Sequence, residues 1–276
     1  MRTTVVIATR NRADELLRTL ARLRTLRPVP PIIVVDNAST DGTATLVREQ
    51  QPGVRVVSAP ENRAAAARNL GVEAAGTPYV AFSDDDSWWA PGALARAEAL
   101  FAEHPRLGLL AGRTLVGEQN RPDPVCELMA KSPLGTPPGA PGPLVLGFLA
   151  CSAIVRRDAF LDVGGFSELL HFGAEEKLLS YDLAARGWWL CYADDVVAHH
   201  HPSPSRPAPA WRRSMERRNN ALIAWLRRPP HECVRAAGPL LRDPGAAVGA
   251  LRRLPHALTR RHRLPRTVEQ QIRELA

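Results

Sequence analysis

Three adjacent carboxylates, Asp84, Asp85 and Asp86, close the run Tyr79, Val80, Ala81, Phe82 and are followed by two indoles, Trp88 and Trp89. A quartet of β-branched, aromatic or small residues, bounded by Thr77 and Pro78 before and polar residues after, predicts a buried strand. The aspartates then sit at its carboxyl end. Like charges this close repel unless neutralised, and hard carboxylate oxygens are the ligands that Mg²⁺ or Mn²⁺ prefers, commonly together with substrate phosphates. The triplet points to a metal-phosphate site, with a solvated acidic loop as the competing reading.

The elements that must position these carboxylates alternate regularly. Thr3 to Ala8 is a β-branched apolar run, followed by Thr9, Arg10, Asn11 and Arg12 and by leucines 16, 17, 20, 23 and 26 at helical spacing. Ile32 to Val35 is a second strand closing on Asp36, and Thr43 to Gln50 a second helix. Val54 to Ser58 is a third strand. An alanine-rich helix over 64 to 75 carries Arg68 and Asn69 into the strand that ends in the aspartates. Strand and helix in this order predict a parallel, doubly wound sheet. Ligands of such sheets bind outside the carboxyl ends of the strands, so Thr9, Arg10, Asn11, Asp36, Asn62 and Arg68 are expected beside the aspartates. Asp36 suits a ribose or base and Arg68 a phosphate; taken singly, each polar residue is equally well a cap or turn former. No GxGxxG or GxxxxGK[ST] occurs, which argues against dinucleotide and P-loop sites.

A chain of 276 residues with 45% hydrophobic content can bury a sizeable core. Its four cysteines are scattered without paired spacing, so neither a zinc knuckle nor a disulfide framework is indicated, and a reducing compartment is the default. No run reaches the length of a signal peptide's apolar region or a membrane span, which suggests a cytoplasmic protein, soluble or peripheral. The net charge of +8 is unevenly placed: 20 basic residues face 23 acidic ones up to Pro204, and 16 arginines face 5 acids from Ser205 onward. A tail of that kind meets an anionic membrane surface, an acidic partner or nucleic acid, or is simply a solvated basic face.

Taken in order and spacing, TTVVIATRNR, IIVVDNASTDGT, ENRAAAARNLGVEAA and YVAFSDDDSWW resemble the nucleotide-binding half of family 2 glycosyltransferases, which have the GT-A fold. IVRRDAFLDVGGF resembles the family's Gly-Gly-Phe turn on the acceptor side, and HFGAEEKLLSYDLAARGWWL its Glu-Asp helix. The resemblance implies inverting transfer of a sugar from a nucleoside diphosphate, with Mn²⁺ or Mg²⁺ on the acidic motif. It implies a mostly parallel, Rossmann-like α/β sheet flanked by helices, with a catalytic domain over 1–205 (nucleotide half 1–90, acceptor half 91–205) and a basic helical extension over 206–276. Asp84 and Asp86 match the outer positions of the Asp-x-Asp motif, Asp86 being first choice as a ligand and Asp85 a neighbour of the donor. Asp36 matches the nucleoside-contacting Asp, and Thr9, Arg10, Asn62 and Arg68 the donor side. Counting back from Gly187 puts Glu176 at the catalytic base, with Glu175 the alternative. His199 or His200 fits the histidine that often completes the metal site. The chain departs from the pattern at Leu178, where the family has Asp, and at Asp182, where it has Arg.

The Pro/Gly-rich stretch from Asn120 to Pro143 is long for a connection and suggests an acceptor-side lid. Helices are expected over 211–226 and 248–258, the latter amphipathic. The basic tail suggests an anionic membrane and a lipid-linked or envelope acceptor. Two other classes compete. A nucleotidyltransferase ordinarily has a glycine-rich, Lys-containing loop after the first strand, which TRNRADE lacks. A nucleic-acid-binding protein would not place bare carboxylates against a phosphate backbone.

Overall fold

The computed structural model describes residues 1–203 and 209–275. The expected boundary between residues 205 and 206, with Pro207, lies outside the described residues. The first half alternates as the apolar runs require: β1 (Thr3–Thr9), α1 (Ala13–Leu23), β2 (Ile32–Asp36), α2 (Thr43–Gln50), β3 (Val54–Ser58), α3 (Ala67–Ala74) and β4 (Tyr79–Ser83). These four strands are parallel in the order β3-β2-β1-β4. Both faces are covered, which is why β1, β2 and β4 read as continuous apolar runs. Val5, Ile7 and Ile32 pack with the leucines of α1, while Val6, Ile33 and Phe82 pack with Ala67 and Val72 of α3. A Cβ on Gly71 would lie 2.4 Å from Val6 Cγ1, so only glycine lets α3 approach β1 this closely.

The second half turns the sheet mixed. It adds β5 (Ser87–Trp89), α4 (Ala93–Glu103), β6 (Leu107–Val116), β7 (Arg121–Pro122), α5 (Pro124–Ala130), β8 (Ala153–Arg156), α6 (Arg157–Asp162), α7 (Glu175–Ala185) and β9 (Trp189–His200). β8 is antiparallel to both β4 and β6, β9 runs parallel to β6, and β5 closes the edge antiparallel to β9. The stretch expected to be a lid carries a helix, α5, that packs one face on the core. α5 starts on an Asp123 cap whose carboxylate accepts from Val125 N at 2.9 Å, and its Cys126 and Met129 are buried in the main core.

Four helices follow: α8 (Pro209–Arg227), α9 (Pro230–Ala237), α10 (Pro244–Thr259) and α11 (Arg266–Glu274). They explain both departures of α7 from the family pattern. Leu178 and Tyr181 pack with Leu222, Ile223 and Leu226 of α8 and Val268 and Ile272 of α11. Asp182, one turn beyond Leu178, receives Arg227 Nε at 2.5 Å and Nη2 at 2.9 Å in a buried two-point pair. On a neighbouring face, Leu179 and Leu183 join the core beneath the sheet. α7 is therefore apolar on two faces because it lies between the sheet and the C-terminal helices. Among the described residues no helix is long and apolar enough to cross a membrane.

Candidate active site

The carboxyl ends of β1 and β4 open into a cleft of about 580 Å³. Thr9, Arg10, Arg68, Asp84, Asp85, Asp86, Glu175, Glu176 and His200 all line it, so nine of the residues singled out by sequence share one cleft. The three aspartates have separate surroundings. Asp85 is held from behind, by Thr9 Oγ1 at 2.9 Å and Arg12 Nε at 2.8 Å. Burial pushes its carboxyl up to about 7, against the pull of Arg12, with its two neighbours adding to the rise. Asp84 is paired to Arg68. Asp86 takes Ser203 N at 3.0 Å on Oδ2, and its Oδ1 lies 3.3 Å from His200 Nε2.

One ligand atom from each of Asp84, Asp86 and His200 falls within 4.8 Å of the others. Around an octahedral ion with bonds near 2.1 Å, neighbouring ligands sit about 3 Å apart and opposite ones about 4.2 Å. The trio therefore fits a divalent cation with small side-chain adjustment, and two carboxylates plus one imidazole suit Mn²⁺ better than Mg²⁺.

His199 does not belong to this cluster. Both His199 and His200 are expected at the metal site, but β9 runs through His200, so the two successive side chains point to opposite faces. His199 turns away, stacking on Trp88 with ring centroids 5.4 Å apart, and its Nδ1 lies 2.8 Å from Asn120 Oδ1. Three other candidates stand outside the cleft wall. Asn11, in a left-handed conformation at φ 55° that asparagine tolerates, accepts from Thr40 N at 2.7 Å and so ties the β1 loop to the β2 loop. Asn62 accepts from Asn37 Nδ2 and from Ala64 N, both at 2.9 Å, and shapes the turn after β3. Asp36 ends β2 with its carboxylate buried, and its Oδ1 has no hydrogen-bond partner among the described residues.

The opposite wall is the start of α7. His171, Gly173 and Ala174 all have positive φ, at 62°, 92° and 60°, so the chain enters the helix through a strained turn. The turn presents Glu175 and Glu176 side by side facing Arg68. Burial first, and then the charge of Glu175, pushes the Glu176 carboxyl up to about 8; Glu175 is raised as well, chiefly by burial, and its Oε2 has no hydrogen-bond partner among the described residues. Burial works against the charge of Arg68, but Asp84, Glu175 and Glu176 more than offset it and hold the guanidinium charged. Asn69 beside it pins the Phe166 end of the Gly-Gly-Phe turn, accepting from Phe166 N and donating to Phe166 O at 2.9 Å each. Gly165 is required there, since a Cβ would fall 2.6 Å from Asn69 Oδ1.

Residues that sequence reasoning missed complete the cleft. Arg12 stands in the TRNR run, where nothing marked it off from Arg10; Arg212 and Glu216, one turn apart on α8, line the cleft from the C-terminal region. The same helix fixes the strained turn. The buried Asn219 amide donates to Leu170 O, Phe172 O and Gly173 O at 3.0, 2.9 and 2.5 Å, and Arg218 Nη2 reaches Leu170 O at 2.6 Å. Asn219→Ala strands buried carbonyls, so it should lower unfolding free energy by about 1–3 kcal/mol in urea titration. Because the turn presents the glutamates, kcat should also fall while donor affinity stays near wild type. Unchanged kcat in a destabilised variant would confine Asn219 to a structural part.

A mixed sheet of this strand order, with acidic ligands at the carboxyl ends of its parallel half, defines a GT-A type α/β fold. Within that fold, the chain belongs to glycosyl transferase family 2, whose model matches residues 4–164. It is similar to the pre-mycofactocin glycosyltransferase of Mycobacterium tuberculosis, 34% identical over 214 residues, which cover 74% of this chain and 43% of that one. The chain thus spans less than half of that relative's length. Similarity to the N-acetylglucosaminyl-diphospho-decaprenol L-rhamnosyltransferase of the same organism is 28% over 236 residues, or 73% of this chain and 76% of the relative. Among solved structures, the mannosyltransferase PcManGT from Pyrobaculum calidifontis, in complex with GDP-Man and Mn²⁺, shares the fold with a TM-score of 0.62 at 24% identity, covering 94% of this chain and 73% of that one. TarS 1-349 of S. aureus in complex with UDP-GlcNAc superposes with a TM-score of 0.63 at 18% identity, covering 98% and 84%.

Proposed function

We propose that the protein transfers a sugar from a nucleoside diphosphate sugar to an acceptor hydroxyl, with inversion at the anomeric carbon. The observation that carries this reading is the sharing of one cleft by the Asp84, Asp86 and His200 cluster and the Glu175 and Glu176 pair. Glu176, once ionised, takes the proton of the acceptor hydroxyl as the acceptor oxygen bonds to the anomeric carbon from the face opposite the departing diphosphate. The bond from that carbon to the diphosphate oxygen breaks as the new one forms, which is what inverts the centre. Arg10, Arg12 and Arg68 place positive charge around the acidic wall where the diphosphate leaves. When bound at Asp84, Asp86 and His200, Mn²⁺ or Mg²⁺ supplies neutralisation of the leaving diphosphate's charge. Asp36, with its unpartnered buried oxygen beside β1, suits the polar edge of the donor's nucleoside.

Family membership and the absence of a glycine-rich phosphate loop favour this reading over a nucleotidyltransferase. The acceptor class we favour is a lipid-linked hydroxyl compound at the inner face of a membrane, supported by the relative named for a diphospho-decaprenol acceptor. The deciding measurement is release of free nucleoside diphosphate when the protein is incubated with Mn²⁺ and each of a panel of nucleoside diphosphate sugars. No release from any donor, with or without an added lipid-linked acceptor, would reject the transferase reading.

A further inference from the structure

Ten large apolar side chains are exposed among the described residues, and five of them, Val234, Leu241, Val248, Leu251 and Leu258, fall in the single stretch from α9 to α10. Their arrangement on α10 is regular. Ala246, Ala250 and Ala257 are fully buried and form one stripe, while Val248, Leu251, Pro255 and Leu258 recur at steps of three, four and three and so form a second stripe on the opposite side. α10 is thus apolar on two faces, and only one of them is covered.

The arginines of this region divide along the same line. Several are used by the fold: Arg227 pairs with Asp182 and Arg228 with Glu269, Arg218 donates to a backbone carbonyl, and Arg217, though exposed, is held by Asp243. These contacts also draw Asp243 and Glu269, two of the region's few acids, toward the interior. Arg235, Arg242, Arg252 and Arg260 are exposed and make no ion pair among the described residues. They directly follow Val234, Leu241 and Leu251, and stand two places after Leu258. An exposed apolar residue with a cation beside it is the pattern of an interfacial helix, in which the apolar group enters the acyl boundary and the guanidinium stays among the headgroups.

We propose that the outer face of α9, the following 3₁₀ turn (Gly238–Arg242) and α10 docks on an anionic lipid bilayer. Complementarity of charge selects that occupant: four exposed cations interleave with the apolar stripe, whereas a second copy of the same face would set arginine against arginine. The location also serves the active site. Asp243, at the start of α10, binds Ser214 and Arg217 of α8 at 3.1 Å each, and Arg212 and Glu216 of that helix line the cleft. The docking face is therefore one helix layer, about 8–10 Å between axes, from the helix that borders the cleft. Docking itself is independent of the transferase reading; only its use for a lipid-linked acceptor rests on that reading.

The test is co-sedimentation of the full chain with phosphatidylcholine vesicles, with and without phosphatidylglycerol, at low and high salt. The expected result is partition onto the anionic vesicles alone, weakening as salt screens the charges. Each exposed arginine near the bilayer contributes about five-fold, so Arg252→Gln with Arg260→Gln should lower partition about 25-fold. Leu251→Ser and Leu258→Ser should each lower it about tenfold with less effect on the salt dependence. Donor hydrolysis without vesicles should be unchanged in all of these variants, so loss of docking is distinguishable from loss of catalysis. Equal partition onto both vesicle types, partition onto neither, or a dimer in solution that Leu251→Ser dissociates would each overturn the proposal.

Discussion

Glu176→Gln is expected to lower turnover by about two orders of magnitude or more, as loss of a general base does, while calorimetry still registers donor binding. The substitution keeps the side chain's shape and removes only its ability to take a proton. The pH profile carries a second expectation. With the Glu176 carboxyl pushed up to about 8 by burial and then by Glu175, the base is mostly protonated at neutral pH, and kcat/KM of the free enzyme should rise toward alkaline pH. Glu175→Gln removes the like charge beside it and should move that limb to lower pH, leaving an active enzyme. An inactive Glu175→Gln beside an active Glu176→Gln would place the base one residue earlier.

The same burial links activity to stability. A carboxyl whose folded pKa is raised binds its proton more tightly in the fold than in the unfolded chain, so its favourable contribution is complete below the ordinary value of 4.5 and is lost as pH rises through about 8. Above that range Glu176→Gln should unfold at a higher temperature than the parent, and the difference should close in acid. On the proposed role of Glu176, a base that weakens its own fold at neutral pH is the trade expected of tuning by desolvation.

What the sequence made legible follows from where its signals are local. β1, β2 and β4 announce themselves because both faces of the parallel half are covered, which leaves unbroken runs such as VVIA and IIVVD, and the polar residues at the carboxyl ends of β1 and β4 mark the cleft. β9 was harder to read because Asp194 and Asp195 interrupt it with exposed charges, just where the register with β6 slips between Gly112 and Arg113. The interruption reads as a strand end, and the opposite facing of His199 and His200 is hidden with it. Leu178 and Asp182 were visible as departures from the family pattern, yet periodicity cannot say what a helix face packs against. Only α8 and α11 show that both positions belong to the docking of the C-terminal helices. The same limit hid Arg212, Glu216 and Asn219, which lie well beyond α7 in the chain and reach the site only because α8 folds back along it.

Asp86→Asn is expected to abolish turnover together with any effect of divalent metal on thermal unfolding. Asp86 is fixed independently of a cation, by Ser203 N on one oxygen and by the ladder bond from His201 N to its carbonyl at 2.8 Å. The variant therefore loses a ligand charge but no core volume, and its unfolding without metal should stay close to that of the parent. An ion that binds only the folded state stabilises it by about 2.7 kcal/mol at a hundredfold excess over its dissociation constant. In the parent, that is a rise of several degrees at saturating Mn²⁺, and in Asp86→Asn it should vanish, a readout that needs no substrate. His200→Ala separates the two metals. Imidazole is a good ligand for Mn²⁺-class ions, whereas Mg²⁺ prefers oxygen and water, so losing His200 should weaken the Mn²⁺ shift strongly and leave the smaller Mg²⁺ shift almost intact. Equal loss with both metals would mean that His200 serves by holding Asp86 in place, not by ligating, and a full Mn²⁺ shift in Asp86→Asn would remove the cluster from the chemistry altogether.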